Sequence, residues 1–178
     1  MASTLERTAA VVAALTCGAA IVPAQLPDSV AREQAARRFL RHLAGTWSFE
    51  WRSADGVGPT GTRQYRLLPD SLRVVWDESY AASHRTGHGV LWYHPRAQRF
   101  FYSGVYAAPV AAMFLTGRLD WSGTTVTFDL LRVANDSIPL NEGLVRSRLH
   151  VPDRDGHTWA RWDNAWVVTF RRQSRSPP

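Results

Sequence analysis

The sequence predicts an all-β protein, an up-and-down antiparallel β-barrel of about ten strands preceded by one helix. Beyond Leu43, apolar and polar residues alternate in short segments, with the period of half-buried strands. Turn-forming Gly, Pro, Asn and Asp residues separate these segments at near-regular spacing. No helical crossover lies between them, so parallel pairing is excluded, and closure into a barrel would remove exposed edges.

The first 24 residues predict a targeting segment. The apolar run from Thr8 to Ala24 ends in the small-residue pattern Val22-Pro23-Ala24, which is typical of a secretory signal peptide cleaved before Gln25. Retention of residues 1–24 as a membrane anchor is the alternative. We therefore expect a periplasmic or secreted protein, or a membrane-anchored one. The sole cysteine, Cys17, lies in this run, which excludes a disulfide framework.

The charge of the chain is positive, with 21 basic residues against 15 acidic ones and a net charge of +6. Every basic residue is arginine, and the arginines are spread along the chain rather than clustered. A nucleic-acid partner would need a clustered basic patch, so we expect none.

Residues 25–43 predict an amphipathic helix. Ala36, Phe39, Leu40 and Leu43 follow the spacing of one apolar face, and Gly45 ends the helix. The barrel is predicted over residues 44–173, with a disordered tail at 174–178. The strands are predicted at 46–52, 62–68, 72–80, 89–94, 99–106, 114–121, 124–133, 144–151, 158–163 and 165–172.

The sequence also predicts several of the turns and connections between the strands. Residues 55–59 predict a turn, and residues 107–112 predict a portal-like connection or a short helix because they are small, apolar and contain Pro109. The dipeptides Ser122-Gly123 and Asp163-Asn164 predict tight hairpin turns.

The opening motif Gly45-Thr46-Trp47 and the closing pair Arg171-Arg172 resemble the calycin superfamily, the lipocalins and their relatives. In that superfamily an arginine of the last strand packs across the tryptophan of the first, a cation–π contact. The chain is similar over residues 43–172 to a bacterial lipocalin-like family of no assigned function. The further matching motifs are Gly89-Val90-Leu91-Trp92-Tyr93 with Pro95, Gly117-Arg118-Leu119-Asp120 and Trp162-Asp163-Asn164. The resemblance implies a fold and a barrel closure more than an activity.

The predicted ligand site is the barrel interior, into which Trp47 is expected to point. An aromatic lining with a few polar groups suits a small hydrophobic or amphipathic ligand, whereas in the alternative the rings simply fill a small barrel. Inside a barrel, Glu78 would have to pair with an arginine, and it either orients a ligand or forms a structural ion pair. The predicted ligand-binding residues are Trp51, Trp76, Glu78, Trp92, Tyr102 and Arg118.

No catalytic, metal or cofactor site is predicted. The sequence has neither the nucleophile motif Gly-x-Ser-x-Gly nor a phosphate-binding loop, so we expect no enzymatic activity. His84 and His88 are four residues apart in a loop, but no second cluster supplies the three or four converging ligands that a metal needs, and we interpret the histidines as surface residues. Haem binding through His150 or His157, as in related small barrels, is the alternative.

A second hypothesis assigns the chain to a different class of protein. The eight tryptophans exceed what a small core readily absorbs. The chain would then be an accessory or scaffold subunit that docks on a larger cell-envelope or membrane complex. Membrane contact would come only through an uncleaved N-terminal segment.

Overall fold

The computed structural model of the protein describes residues 28–107, 110–131 and 146–174, without the side chains of residues 106–112. One helix precedes ten strands, as predicted. The expectations for residues 1–27 and 175–178 lie outside the described residues. The elements are α1 (Asp28–Leu43), β1 (Gly45–Ser53), β2 (Gly56–Leu67), β3 (Arg73–Tyr80), β4 (Thr86–His94), β5 (Arg99–Ala107), β6 (Val110–Leu119), β7 (Thr125–Leu130), β8 (Arg146–His150), β9 (Gly156–Arg161) and β10 (Trp166–Arg172).

The ten strands form a closed barrel in which each strand pairs antiparallel with its neighbours along the chain. The first and last strands close it, with Trp47 opposite Arg172 at one end of the pairing and Ser53 opposite Trp166 at the other. No strand of the barrel is left with an unpaired edge, so it offers no template for edge-to-edge association. The predicted up-and-down antiparallel barrel is confirmed.

Helix α1 closes the end of the barrel at which β1 begins, here called the helix-capped end. Its apolar face is buried, and the ring of Phe39 lies 5.4 Å from the ring of Phe100 on β5. This is the face that the i, i+3, i+4, i+7 spacing predicted. Among the described residues, no helix has the length and apolarity needed to cross a membrane. The opposite end, where β1 ends and β10 begins, is the distal end.

Two hairpin turns have the predicted positions. Gly123 and Asn164 both adopt positive φ, at 74° and 59°. Glycine and asparagine tolerate this conformation better than other residues, which explains the turns at these dipeptides. The Asp120 carboxylate accepts hydrogen bonds from the backbone N–H groups of Thr124 and Thr125, each at 3.1 Å.

The predicted turn at residues 55–59 is too long. Strand β2 begins at Gly56, and its pairing with β1 shifts from Glu50 opposite Thr60 to Arg52 opposite Val57. This shift places one extra residue on β2, which is a β-bulge. Pro59 lacks an N–H group, and a bulge is where a strand tolerates it.

The predicted connection at residues 107–112 is wrong, because β6 begins at Val110 and its backbone pairs with β5 from Ala107 opposite Val110 onward. Residues 107–112 are all small and apolar, so they show no alternation of apolar and polar residues. The sequence therefore did not indicate the strand that forms when this segment pairs with β5. Residues 108 and 109 are outside the described part. Strand β4 also begins earlier than predicted, at Thr86.

Candidate functional site in the barrel interior

The first and last strands meet at the predicted contact between an arginine and a tryptophan. The guanidinium carbon of Arg172 lies 4.3 Å from the ring centroid of Trp47. The same guanidinium donates to the carbonyl oxygens of Ala44 at 3.0 Å and His42 at 2.9 Å. It therefore ties β10 to the end of α1 as well as to β1.

Gly45 is required beside this contact, because a Cβ there would overlap the Arg172 guanidinium and the backbone has φ of 142°. Arg171, in contrast, is exposed and takes no part in the contact. Successive residues of a strand point to opposite faces, so only one of the two arginines is able to reach Trp47. The predicted closure is confirmed for Gly45, Trp47 and Arg172 and is wrong for Arg171.

A buried ion pair lies between Arg63 on β2 and Glu78 on β3. The two residues are direct cross-strand partners and are only 5% and 4% exposed. Arg63 Nε donates to Glu78 Oε2 at 2.6 Å, and Nη2 contacts the same oxygen. The prediction that Glu78 pairs with an arginine is confirmed. A charge so far from water would be costly without this partner.

Four aromatic rings surround the guanidinium of Arg63. Its central carbon lies 4.8 Å from the ring centroid of Trp76, 5.0 Å from that of Phe170, 5.7 Å from that of Trp159 and 5.8 Å from that of Tyr65. Aromatic faces attract a cation, and more strongly away from water. We call these four residues, with Arg63 and Glu78, the interior site.

The Tyr65 hydroxyl accepts a hydrogen bond of 3.1 Å from Arg63 Nη1. Burial raises the pKa of Tyr65, and the nearby positive charge of Arg63 opposes that rise. The phenol therefore stays neutral at physiological pH and serves as an acceptor for the guanidinium.

One oxygen of the Glu78 carboxylate has no partner. Oε2 receives both contacts from Arg63, whereas Oε1 is buried and accepts no hydrogen bond from any described residue. Buried polar atoms are nearly always hydrogen-bonded, so such an atom calls for an explanation. Gly87, the partner of Glu78 on β4, contributes no side chain beside the carboxylate.

Glycines on β4 and β5 make room for the ring of Trp76. Gly89 and Gly104 are directly paired, and a Cβ on either would come within 2.7 Å of that ring. On the same side of the barrel, Trp76 stacks against Tyr102 with 5.6 Å between centroids and an interplanar angle of 11°. The structure thus brings three of the predicted ligand-binding residues together in the interior: Trp76, Glu78 and Tyr102.

Trp51 lies nearer the distal end. It is half-buried and stacks on Trp166 with 4.9 Å between ring centroids. Tyr80, which is also half-buried, meets Phe49 edge-on at 5.4 Å. Trp51 therefore lines the interior at the end opposite α1 and is not in contact with the ion pair.

Two predicted interior residues lie elsewhere. Trp92 is flanked by the buried Leu91 and Tyr93, so it points outward and stacks on Phe101 at 5.3 Å. Arg118 follows the buried Gly117 and is exposed. Because alternate residues of a strand face opposite sides, the placement of Trp92 and Arg118 in the interior is wrong.

His157 is buried, so its interpretation as a surface residue is wrong. Its ring stacks on Phe170 at 4.2 Å and meets Trp47 edge-on at 4.4 Å. Burial lowers the pKa of His157 well below its usual value, and the charges of Arg63 and Arg172 lower it further. Neither ring nitrogen has a hydrogen-bond partner among the described residues. His150 is exposed on β8.

The described residues contain no group of three or more His, Cys, Asp and Glu side chains placed to hold a metal ion. Neither the Arg63–Glu78 pair nor His157 is accompanied by further ligating side chains. What the interior site offers is a carboxylate oxygen able to accept a hydrogen bond, set among aromatic rings.

The strand pairing of the chain defines the class of protein as a closed ten-stranded up-and-down β-barrel. No family model matches the sequence, and no curated protein matches it. Designed barrels are similar in structure. A redesigned β-barrel has 13% identity and a TM-score of 0.44, with 77% of this chain and 96% of that chain covered. A redesigned barrel bound to the compound DFHBI has 13% identity and a TM-score of 0.40, covering 76% and 99%.

Proposed function

We propose that the barrel binds a small molecule at the interior site. Its apolar part would pack against the aromatic rings, and a hydroxyl, amide or amine group would donate a hydrogen bond to Glu78 Oε1. The observation that carries the proposal is that this buried carboxylate oxygen has no partner among the described residues. Aromatic interiors with a few placed polar groups are typical of small-molecule sites. We propose a non-catalytic role.

The energetics of the ion pair support this proposal. A buried ion pair must overcome the desolvation of two charges, and apolar residues of similar size are often as stabilising or more so. The barrel is closed by the pairing of β1 with β10, to which the Arg172–Trp47 contact adds, whereas the Arg63–Glu78 pair joins the next two strands, β2 and β3. A buried pair with this desolvation cost, outside the seam between β1 and β10, supports a role in recognition.

Native mass spectrometry of the full-length chain, purified from its own cells, tests the proposal. We expect a bound small molecule on the wild-type protein and none on the double variant Arg63→Met/Glu78→Leu. The matched control is Arg52→Met/Glu50→Leu, which removes an exposed ion pair from the outer face of β1. An empty wild-type protein, or equal retention by both double variants, would contradict the proposal.

We also propose that the chain is exported, on the basis of the apolar run and small-residue pattern of residues 1–24. Intact-mass measurement of the purified protein distinguishes the two forms. A new terminus at Gln25 would indicate a cleaved signal peptide, and an intact Met1 terminus in a membrane fraction would indicate an anchor. A full-length chain in the cytoplasmic fraction would contradict export.

The accessory-subunit alternative is favoured by two exposed tryptophans at opposite ends of the barrel. Trp121 is 90% exposed beside α1, and Trp162 is 57% exposed at the distal end. Exposed aromatic residues often contribute most to protein interfaces. If this alternative holds, a stoichiometric envelope complex containing the chain should lose it on Trp121→Ser or Trp162→Ser substitution. Interior variants should leave that complex intact.

A further inference from the structure

A groove at the helix-capped end lies outside the barrel and apart from the interior site. Its walls are the first part of α1 and the turn between β6 and β7, with residues of β4 and of the following turn between them, and it encloses about 420 Å³. The α1 wall begins at Asp28, so the groove borders the N-terminal, electropositive end of the helix.

Three arginines line this groove: Arg32 and Arg38 from α1 and Arg118 from β6. All three are exposed, and within the described ranges none of them forms an ion pair. Arg37 on the same helix is different, because it is paired with Glu33. The groove therefore concentrates guanidinium groups that have not been neutralised by carboxylates.

Two carboxylates also face the groove, Asp28 and Asp120. Asp120 is engaged by its own turn, since it accepts hydrogen bonds from the Ser122 hydroxyl at 2.8 Å and from two backbone N–H groups. Both carboxylates keep their negative charge, so three arginines against two carboxylates leave the groove with one positive charge in excess. The balance of charge favours an anion.

Tyr93 contributes a buried hydroxyl group to the groove. It lines the groove, its side chain is only 4% exposed, and its hydroxyl has no hydrogen-bond partner among the residues described. Burial raises the pKa of Tyr93, so the hydroxyl keeps its proton and stays a donor. An anion in the groove would provide the acceptor that this buried hydroxyl lacks.

Trp121 forms the rim. Arg32 lies over its ring at 4.9 Å, while the side chain as a whole is 90% exposed. An exposed indole ring at the edge of the groove offers a stacking surface for a ligand whose body is aromatic. The groove thus combines anion recognition with a stacking surface.

We propose that this groove binds the phosphate group of an organic phosphate, with Arg32, Arg38 and Arg118 contacting the phosphate oxygens, Tyr93 donating to one of them, and the organic part lying against Trp121. Planar guanidinium groups match the geometry of phosphate oxygens and bind them through paired hydrogen bonds. A soluble phosphate ester and a lipid phosphate headgroup offer the same chemistry, and the experiment separates them.

The first arm measures phenyl phosphate binding to the full-length chain by titration calorimetry. We expect saturable binding, weakened about tenfold by Arg38→Gln or Arg118→Gln, since one charged hydrogen bond contributes about 1.4 kcal/mol or more. Tyr93→Phe should weaken it without changing the fold, as the ring is kept. The matched control is Arg146→Gln, an exposed arginine of β8 paired with Asp129.

The second arm measures co-sedimentation with phosphatidylcholine vesicles containing phosphatidic acid. If the Arg38→Gln/Arg118→Gln double variant binds vesicles less well than the wild type, the ligand is a lipid headgroup. The N-terminal segment cannot cause this difference, because the wild type and the variant share it. Phenyl phosphate binding without a groove-dependent vesicle signal would identify a soluble ester. Absence of saturable phenyl phosphate binding, or equal binding by wild type and double variant, would overturn the proposal.

Discussion

Arg63 and Glu78 are direct partners across β2 and β3, and their ion pair lies inside the barrel, with two contacts on one carboxylate oxygen and no hydrogen bond from any described residue on the other. Burial distinguishes this pair from the surface ion pairs of the same barrel, such as Arg66–Asp77, where both side chains are mostly exposed. The interior pair is therefore the one for which removal of a single partner leaves a charge that water does not reach.

The first prediction follows from that burial. Glu78→Ala should lower the free energy of unfolding by about 3–5 kcal/mol, because it leaves the Arg63 charge uncompensated, whereas Arg63→Met/Glu78→Leu should be close to neutral. Urea denaturation measures both. The exposed pair gives the control, since Asp77→Ala should cost less than about 1 kcal/mol. A double variant as unstable as Glu78→Ala would show that the barrel requires the pair itself.

The second prediction separates the two adjacent arginines of β10. Arg172→Ala removes the contact with Trp47 and two hydrogen bonds to the end of α1, so it should cost about 2–3 kcal/mol of stability. Arg171→Ala should stay within about 0.5 kcal/mol, as expected for an exposed residue. Thermal or urea unfolding of the two variants compares them directly. Equal losses would mean that the Arg172 contact does not hold the barrel closed.

Strict alternation explains which interior residues could be predicted from the sequence. In β1, large apolar residues alternate with polar ones, so the inward face of Trp47 follows from the period alone. In β3, the polar residues Arg73, Asp77 and Ser79 mark the outward face, so Trp76 is placed on the inward one although Val75 interrupts the alternation. In β4, Val90-Leu91-Trp92-Tyr93 is apolar on both faces, so no local pattern shows that Leu91 and Tyr93 are the inward pair. Packing across the barrel determines which residues of β4 point inward.

Arg63 and His157 were missed for a different reason. Arginine is mostly exposed in proteins and histidine is intermediate, and here each becomes buried through partners far away in the sequence. The burial of Arg63 could have been predicted only from the pairing register of β2 and β3, in which Arg63 lies opposite Glu78. For His157 there was no local signal, since its neighbours Trp47 and Phe170 come from the two strands that close the barrel.

The third prediction concerns the space that Trp76 occupies. Gly104→Ala should cost about 1–3 kcal/mol, because the added methyl group would overlap the Trp76 ring. Gly156→Ala is the matched control, as a Cβ there makes only an ordinary contact at 3.5 Å and the residue does not have positive φ. Urea unfolding of both variants and the tryptophan fluorescence spectrum report the effect. Equal stabilities for Gly104→Ala and Gly156→Ala would contradict the role assigned to Gly104.

The last prediction is a pH dependence that arises from His157. Burial keeps the pKa of this histidine well below its usual value in the folded chain, so below about pH 6.5 the unfolded chain takes up a proton that the folded chain does not. The stability contributed by this one group is thus fully present above that pH and is lost progressively as the pH falls from 7 to 5. His157→Phe keeps an aromatic ring between Trp47 and Phe170 and should remove this part of the slope, while His150→Gln, at an exposed position, should leave it unchanged. Urea unfolding of the three proteins across this pH range measures the difference, and parallel slopes for wild type and His157→Phe would show that His157 does not titrate in this way.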